Sequence, residues 1–186
     1  MTLKAPKGAS DVSPGQRPGY SEKTIASPER RPNDQRMPQS LARIHLHLIF
    51  STKGRARTID DQLREPLHAY LATVLKNLGC HANLINSAED HVHMLFELGR
   101  TVSVSKVVED AKKSSSKWIK TQPTGIADFA WQNGYGVFSV SHSNLNAVRD
   151  YIANQREHHR KRTFQDELRA LLEKHAVEYD ERYIWD

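Results

Sequence analysis

Alternation of apolar and polar positions begins at Ile44-His45-Leu46-His47-Leu48-Ile49-Phe50 and predicts a first strand. Leu63, Leu67, Tyr70, Leu71, Val74, Leu75 and Leu78 then recur at helical spacing, with Asp60 or Asp61 as N-cap and Gly79 just past the end. Pro66 is expected in or near the first turn, where a missing amide costs least. Residues 81–86 and 91–98 read as two strands of a hairpin joined by a short polar link. A second helix follows Ser103, with Val104, Val107, Val108, Ala111, Ser115 and Trp118 on one face and lysines around the other. Residues 131–140 form another extended stretch that Gly134-Tyr135-Gly136 allows to bend. A third helix starts near Ser143 or Asn144 and buries Leu145, Val148 and Ile152. Thr163, with Asp166 three residues on, resembles a capping box for a last helix carrying Leu168, Leu171 and Leu172.

The order is β-α-β-β-α-β followed by one or two helices. It predicts an α+β protein of ferredoxin-like arrangement: a four-stranded antiparallel sheet with two helices on one face. Six of the eight prolines lie in residues 1–40, which carry few aliphatics and no sustained period. That stretch reads as a disordered tail, with Met37 an alternative start. The main domain is expected over 41–165 and a helical extension over 166–186. The fold alone hosts many activities, so function must come from the site.

With 186 residues the chain can bury one sizeable core. It has no run near the ~18 apolar residues of a membrane span, and no signal peptide pattern. The single cysteine, Cys80, excludes an internal disulfide or a multi-cysteine zinc site and agrees with a reducing, cytoplasmic setting. A net charge of +5 favours an anionic partner, but much of the excess falls in the tail. Binding by the remainder must therefore use local patches.

The candidate chemistry lies in two places. His91 and His93, two apart on a strand, share a face and can hold one metal ion. Tyr151 and Gln155, four apart in a helical segment, share another face. Each has a bland alternative: histidines on the open face of a half-covered sheet, a tyrosine at the rim of an apolar stripe, a surface amide. His45 and His47 repeat the pairing in the first strand and are assigned to that open face, or to a supporting role. The basic run of Arg156, His158, His159, Arg160, Lys161 and Arg162 reads as a solvated face or a cation-favouring helix end.

Together, Asp90-His91-Val92-His93-Met94-Leu95, Tyr151-Ile152-Ala153-Asn154-Gln155 and the order of elements between them resemble the IS200/IS605-type transposases. These are the single-tyrosine HUH nucleases, including the REP-associated tyrosine transposases. Ser51-Thr52-Lys53-Gly54-Arg55 and Tyr135-Gly136-Val137-Phe138-Ser139 also look like family segments. The resemblance implies that His91, His93 and Gln155 bind Mg²⁺ or Mn²⁺ and that Tyr151 attacks single-stranded DNA near a hairpin. A 5′-phosphotyrosine link and a free 3′-OH would result. It also implies a homodimer in which the tyrosine helix of one subunit serves the other's histidines, and a nucleoid-associated cytoplasmic location. No general base for Tyr151 is evident in the sequence. Lys53, Arg55, Lys112, Lys113 and Lys117 are the candidate phosphate contacts. The rivals are a non-catalytic hairpin-binding protein on the same fold and a ferredoxin-like small-molecule regulatory domain.

Overall fold

The computed structural model describes residues 41–123, 125–155 and 163–185. The chain divides into two units, Met1–Gln39 and Ser40–Asp186. The tail expected over residues 1–40 and the basic run at 156–162 lie outside the described residues.

Four strands, β1 (His45–Ser51), β2 (His81–Ser87), β3 (His91–Glu97) and β4 (Gly136–Val140), form one sheet in the order β2-β3-β1-β4. Every neighbouring pair is antiparallel. Helices α1 (Asp61–Asn77) and α2 (Val104–Lys120) connect β1 to β2 and β3 to β4, and α3 (Leu145–Ala153) and α4 (Phe164–Lys174) follow. This is the ferredoxin-like order that the hydrophobic pattern predicts.

Local chemistry sets the helix ends. Asp60 accepts a hydrogen bond from the Leu63 amide at 2.8 Å, and Ser103 does the same for Lys106 at 3.2 Å. Gly79 leaves α1 at φ +71°, the left-handed value that suits glycine past a helix end. Pro66 stands one turn deeper in α1 than expected. It lies on an exposed side, where water can satisfy the carbonyl that its missing N–H leaves over.

One sheet face carries Leu46, Leu48, Phe50, Val92, Met94 and Phe96, which pack with Leu67, Leu71, Leu75, Val107 and Ala111 of α1 and α2. This is the main core, and each such fully buried aliphatic contributes roughly 1.5–3 kcal/mol. The other face carries the histidines, and the structure corrects the reading of it as open. Ile49 and Phe138 pack against Phe164, Leu168 and Leu172 of α4, while Leu95 and Val140 pack against Ile152 of α3. His91 and His93 are accordingly fully buried, and His45 and His47 nearly so. A few apolar residues at the margins recruit two helices, and those helices seal a polar centre.

Candidate active site

The sealed centre is built on β3. His91 and His93 alternate onto the face that α3 and α4 cover, and in register they stand opposite Ser51 and Ile49 of β1. Each imidazole is tied at Nδ1. The carboxylate of Asp90 lies 2.6 Å from His91 Nδ1, and His47 Nε2 lies 2.9 Å from His93 Nδ1. Because a carboxylate only accepts, His91 Nδ1 carries the proton, which leaves Nε2 to face the interior. Burial pushes His47 down to about 4, so it is neutral at neutral pH and can accept from His93. His47 thus has the supporting position foreseen as one of its two alternatives.

Tyr151 and Gln155 meet at a residue that sequence reasoning passed over. The Tyr151 hydroxyl donates to Glu167 Oε1, and Gln155 Nε2 donates to the same oxygen at 2.8 Å. Gln155 is fully buried and Glu167 is nearly so. Helix α3 ends at Ala153 with Asn154 as its C-cap, so the two residues do not share one continuous helix. They nevertheless converge on one acceptor. Glu167 also faces the histidines, with His91 Nε2 at 3.8 Å from Oε2 and His93 Nε2 at 3.5 Å from Oε1.

One ligand atom from each of His91, His93 and Glu167 lies within 4.8 Å of the others, so these three could hold a metal ion. Two ligand atoms of an ion bound at about 2.1 Å stand at most about 4.2 Å apart; His91 Nε2 meets this against Oε2 and His93 Nε2 against Oε1, while the set of three spans up to 4.8 Å and would have to close slightly around an ion. Imidazole nitrogens combined with a carboxylate oxygen form a donor set for a divalent cation.

Glu167 left a trace in the sequence. Phe164, Leu168, Leu171 and Leu172 mark the inner face of α4, and Glu167 lies on that stripe, three residues after Phe164. An acid on an apolar stripe is a conspicuous polar exception. The cap masked it, because Thr163 and Asp166 already explain the acidic start of the helix.

A cavity of about 670 Å³ opens beside the tyrosine, bounded by His47, Phe138, Tyr151, Glu167, Lys174 and His175 among others. The Phe138 and His175 rings stack there at 4.7 Å. The candidate phosphate contacts are divided. Lys53 and Arg55 follow the end of β1 that pairs with His91, and the Thr52 backbone N–H donates to the Asp90 carbonyl at 2.8 Å. Gly54 and Arg55 turn there with φ of 61° and 55°. Lys113 and Lys117 are exposed on α2, across the sheet from the histidines. Lys112 is turned inward, its ammonium donating to the carbonyls of Gln132, Asn133 and Gly134 at 2.7–3.1 Å.

The fold and this site together define a class, a ferredoxin-like domain that brings a histidine pair to a helix-borne tyrosine. The family described as transposase, IS200-like, matches residues 40–155, and the chain belongs to that family. Glu167 lies beyond the matched segment. Among solved structures, a candidate transposase of Deinococcus radiodurans R1 is similar at 22% identity and a TM-score of 0.51, covering 65% of this chain and 97% of that one. A REP-associated tyrosine transposase bound to a REP hairpin is similar at 13% identity and 0.51, covering 66% and 73%. A comparison with curated proteins finds no significant match. Among the described residues, no helix is long and apolar enough to cross a membrane.

Proposed function

We propose that this chain cuts and rejoins single-stranded DNA beside hairpins, using Tyr151 as the nucleophile. The observation that carries this reading is the convergence of Tyr151, His91 and His93 on one buried carboxylate within a single chain. Tyr151 Oη forms a bond to the scissile phosphorus, and the bond from phosphorus to the 3′-oxygen breaks. The DNA keeps a 5′-phosphate ester to the tyrosine, and the released oxygen takes a proton to become a 3′-OH. Because the ester retains the energy of the broken bond, a 3′-OH can later reverse the step without a nucleotide cofactor.

An ordinary tyrosine, with a pKa near ~10, is a weak nucleophile at neutral pH. Its hydrogen bond to Glu167 directs the phenolic oxygen and gives the departing proton an acceptor. A bound Mg²⁺ or Mn²⁺, held by His91 and His93 with Gln155 as the ligand implied by the family resemblance, would polarise the phosphate. Asp90 and His47 hold the two imidazoles in the orientation that this requires. The neighbouring cavity has room for a nucleotide, and Phe138 and His175 offer a stacking surface for a base. Lys53 and Arg55 are the nearer candidates for phosphate contacts, and Lys113 and Lys117 would extend the path around the domain. Residues 1–40 are proposed to lie outside the catalytic domain.

Homodimerisation is not needed to assemble these groups, since one chain supplies them all. Mixing Tyr151→Phe and His91→Ala proteins tests exchange between subunits: restored cleavage means the tyrosine acts in trans. The direct test incubates labelled single-stranded hairpin DNA from the gene's own flanks with Mg²⁺ or Mn²⁺ and wild-type or Tyr151→Phe protein. A covalent adduct on a denaturing gel from wild type alone is the expected result. Hairpin binding without an adduct from either protein overturns the enzyme reading in favour of a non-catalytic binder.

A further inference from the structure

We propose that Tyr135 is a stacking platform for an unpaired base of the DNA strand that leads to the site. This rests on the proposed action on single-stranded DNA and adds a contact residue to it.

Pairing between β1 and the chain before β4 is broken at one place. Thr52 bridges Trp131 and the Gln132 N–H donates to the Ser51 carbonyl at 2.9 Å, while Ile49 pairs with Gly136. Three residues, Asn133, Gly134 and Tyr135, therefore stand against Phe50 alone. Such a bulge re-aims a side chain, and bulges gather beside functional sites. Here it lies on the edge strand, next to the β1 residues that pair with His91 and His93. With strands about 4.8 Å apart, its backbone stands about 10 Å from β3.

What the bulge turns outward is an aromatic ring. Tyr135 is 44% exposed, and the other exposed large apolar side chains, Leu41, Ile44, Val177 and Tyr183, lie before β1 or after α4. The Lys112 ammonium lies over the ring at 5.8 Å from its centroid, so an incoming group meets the opposite side. Strand pairing at both ends of the bulge fixes where the ring stands.

Charge indicates the partner. Lys53, exposed on the basic turn Lys53-Gly54-Arg55, donates its backbone N–H to the Ala130 carbonyl at 2.9 Å, so that turn runs beside the start of the bulged segment. A flat ring beside cations fits the face of a base and the phosphates that flank it. In a duplex the base faces are taken up by stacking on one another, so the ring selects a single strand over paired DNA.

The test compares affinity for two DNAs: the hairpin from the gene's own flanks with single-stranded arms, and the same hairpin with the arms removed. Every protein carries Tyr151→Phe, so that no strand is cut. Tyr135→Leu keeps an apolar group beside Lys112 and removes the aromatic face. It should weaken binding of the armed hairpin at least about five-fold, the low end of what one stacked base contributes, and leave the armless hairpin near its parent affinity. Tyr135→Phe should bind both DNAs as its parent does. Melting checks that each variant is folded. Should Tyr135→Leu not fold, an arm containing 5-iododeoxyuridine, photocrosslinked to the parent protein, decides, with the crosslink expected at Tyr135. No loss in folded Tyr135→Leu, equal loss on both DNAs, or an arm that crosslinks only elsewhere or nowhere overturns the platform while the proposed cutting of DNA stands. A parent protein that binds neither DNA overturns the reading of function itself.

Discussion

Asn86 donates its side-chain amide to the carbonyl of Ile152 at 2.7 Å and to that of Ala153 at 3.3 Å. Asn86 is the β2 residue that pairs in register with His93, and Ile152 follows Tyr151. One strand side chain therefore holds the end of the tyrosine helix over the histidine pair, satisfying two of the last carbonyls of α3. Asn86→Ala should cost about 1 kcal/mol of stability, as for one lost internal hydrogen bond. It should slow adduct formation by about ten-fold or more, since small misplacements of a reacting group are expensive. Melting and single-turnover cleavage measure the two effects, and wild-type cleavage would remove Asn86 from the positioning of Tyr151.

Lys112 serves the fold. Burial pushes its amine down to about 8, still protonated at pH 7, and its N–H groups meet three backbone carbonyls of the loop before β4. Lys112→Met should destabilise the protein by about 1–3 kcal/mol, because carbonyls lose their donor. Hairpin affinity of the folded variant should stay near wild type, whereas Lys53→Ala should weaken affinity and flatten its salt dependence. Binding isotherms at two salt concentrations distinguish these results, and a large affinity loss from Lys112→Met alone would restore it as a phosphate contact.

Acid should destabilise the fold before ordinary carboxylates titrate. Burial lowers His47 from 6.5 to about 4 and also lowers His68, whose Nε2 lies 2.9 Å from Ser87 Oγ. Between about pH 4 and 6.5 the unfolded chain binds a proton at His47 that the folded chain does not. Stability therefore falls as pH falls through that window. Urea midpoints in chelator should be lower at pH 5 than at pH 7, and His68→Gln should remove part of the difference. Equal midpoints at the two pH values would show that neither histidine is held neutral.

Removing residues 1–36 should leave adduct formation on hairpin DNA unchanged, because every group placed at the site lies at or after His47 in the chain. Rates of the full and shortened chains compare directly. A large drop would assign DNA contacts to the basic groups of that segment.

Much of the architecture is written locally. Alternation from Ile44 to Phe50, the leucine spacing of α1, the Ser103 cap and the Thr163 cap each act over a few residues, and they suffice for the strands, helices and their order. The histidine spacing likewise places His91 and His93 on one face, because side chains alternate along any strand. The sequence does not say what covers that face. Of the alternating positions on β1, only Ile49 is apolar between His45 and Ser51, so the strand by itself looks half solvated. Closure comes from Phe164, Leu168 and Ile152, distant residues whose burial depends on how α3 and α4 cross the sheet. The same long-range packing brings Glu167 to Tyr151, Gln155 and both histidines, a meeting that no periodicity encodes. Sequence determined the strands, the helices and the pairing of residues within them. Tertiary packing alone decided that the histidine face is buried and that a carboxylate stands at its centre, because burial is a property of contacts between elements.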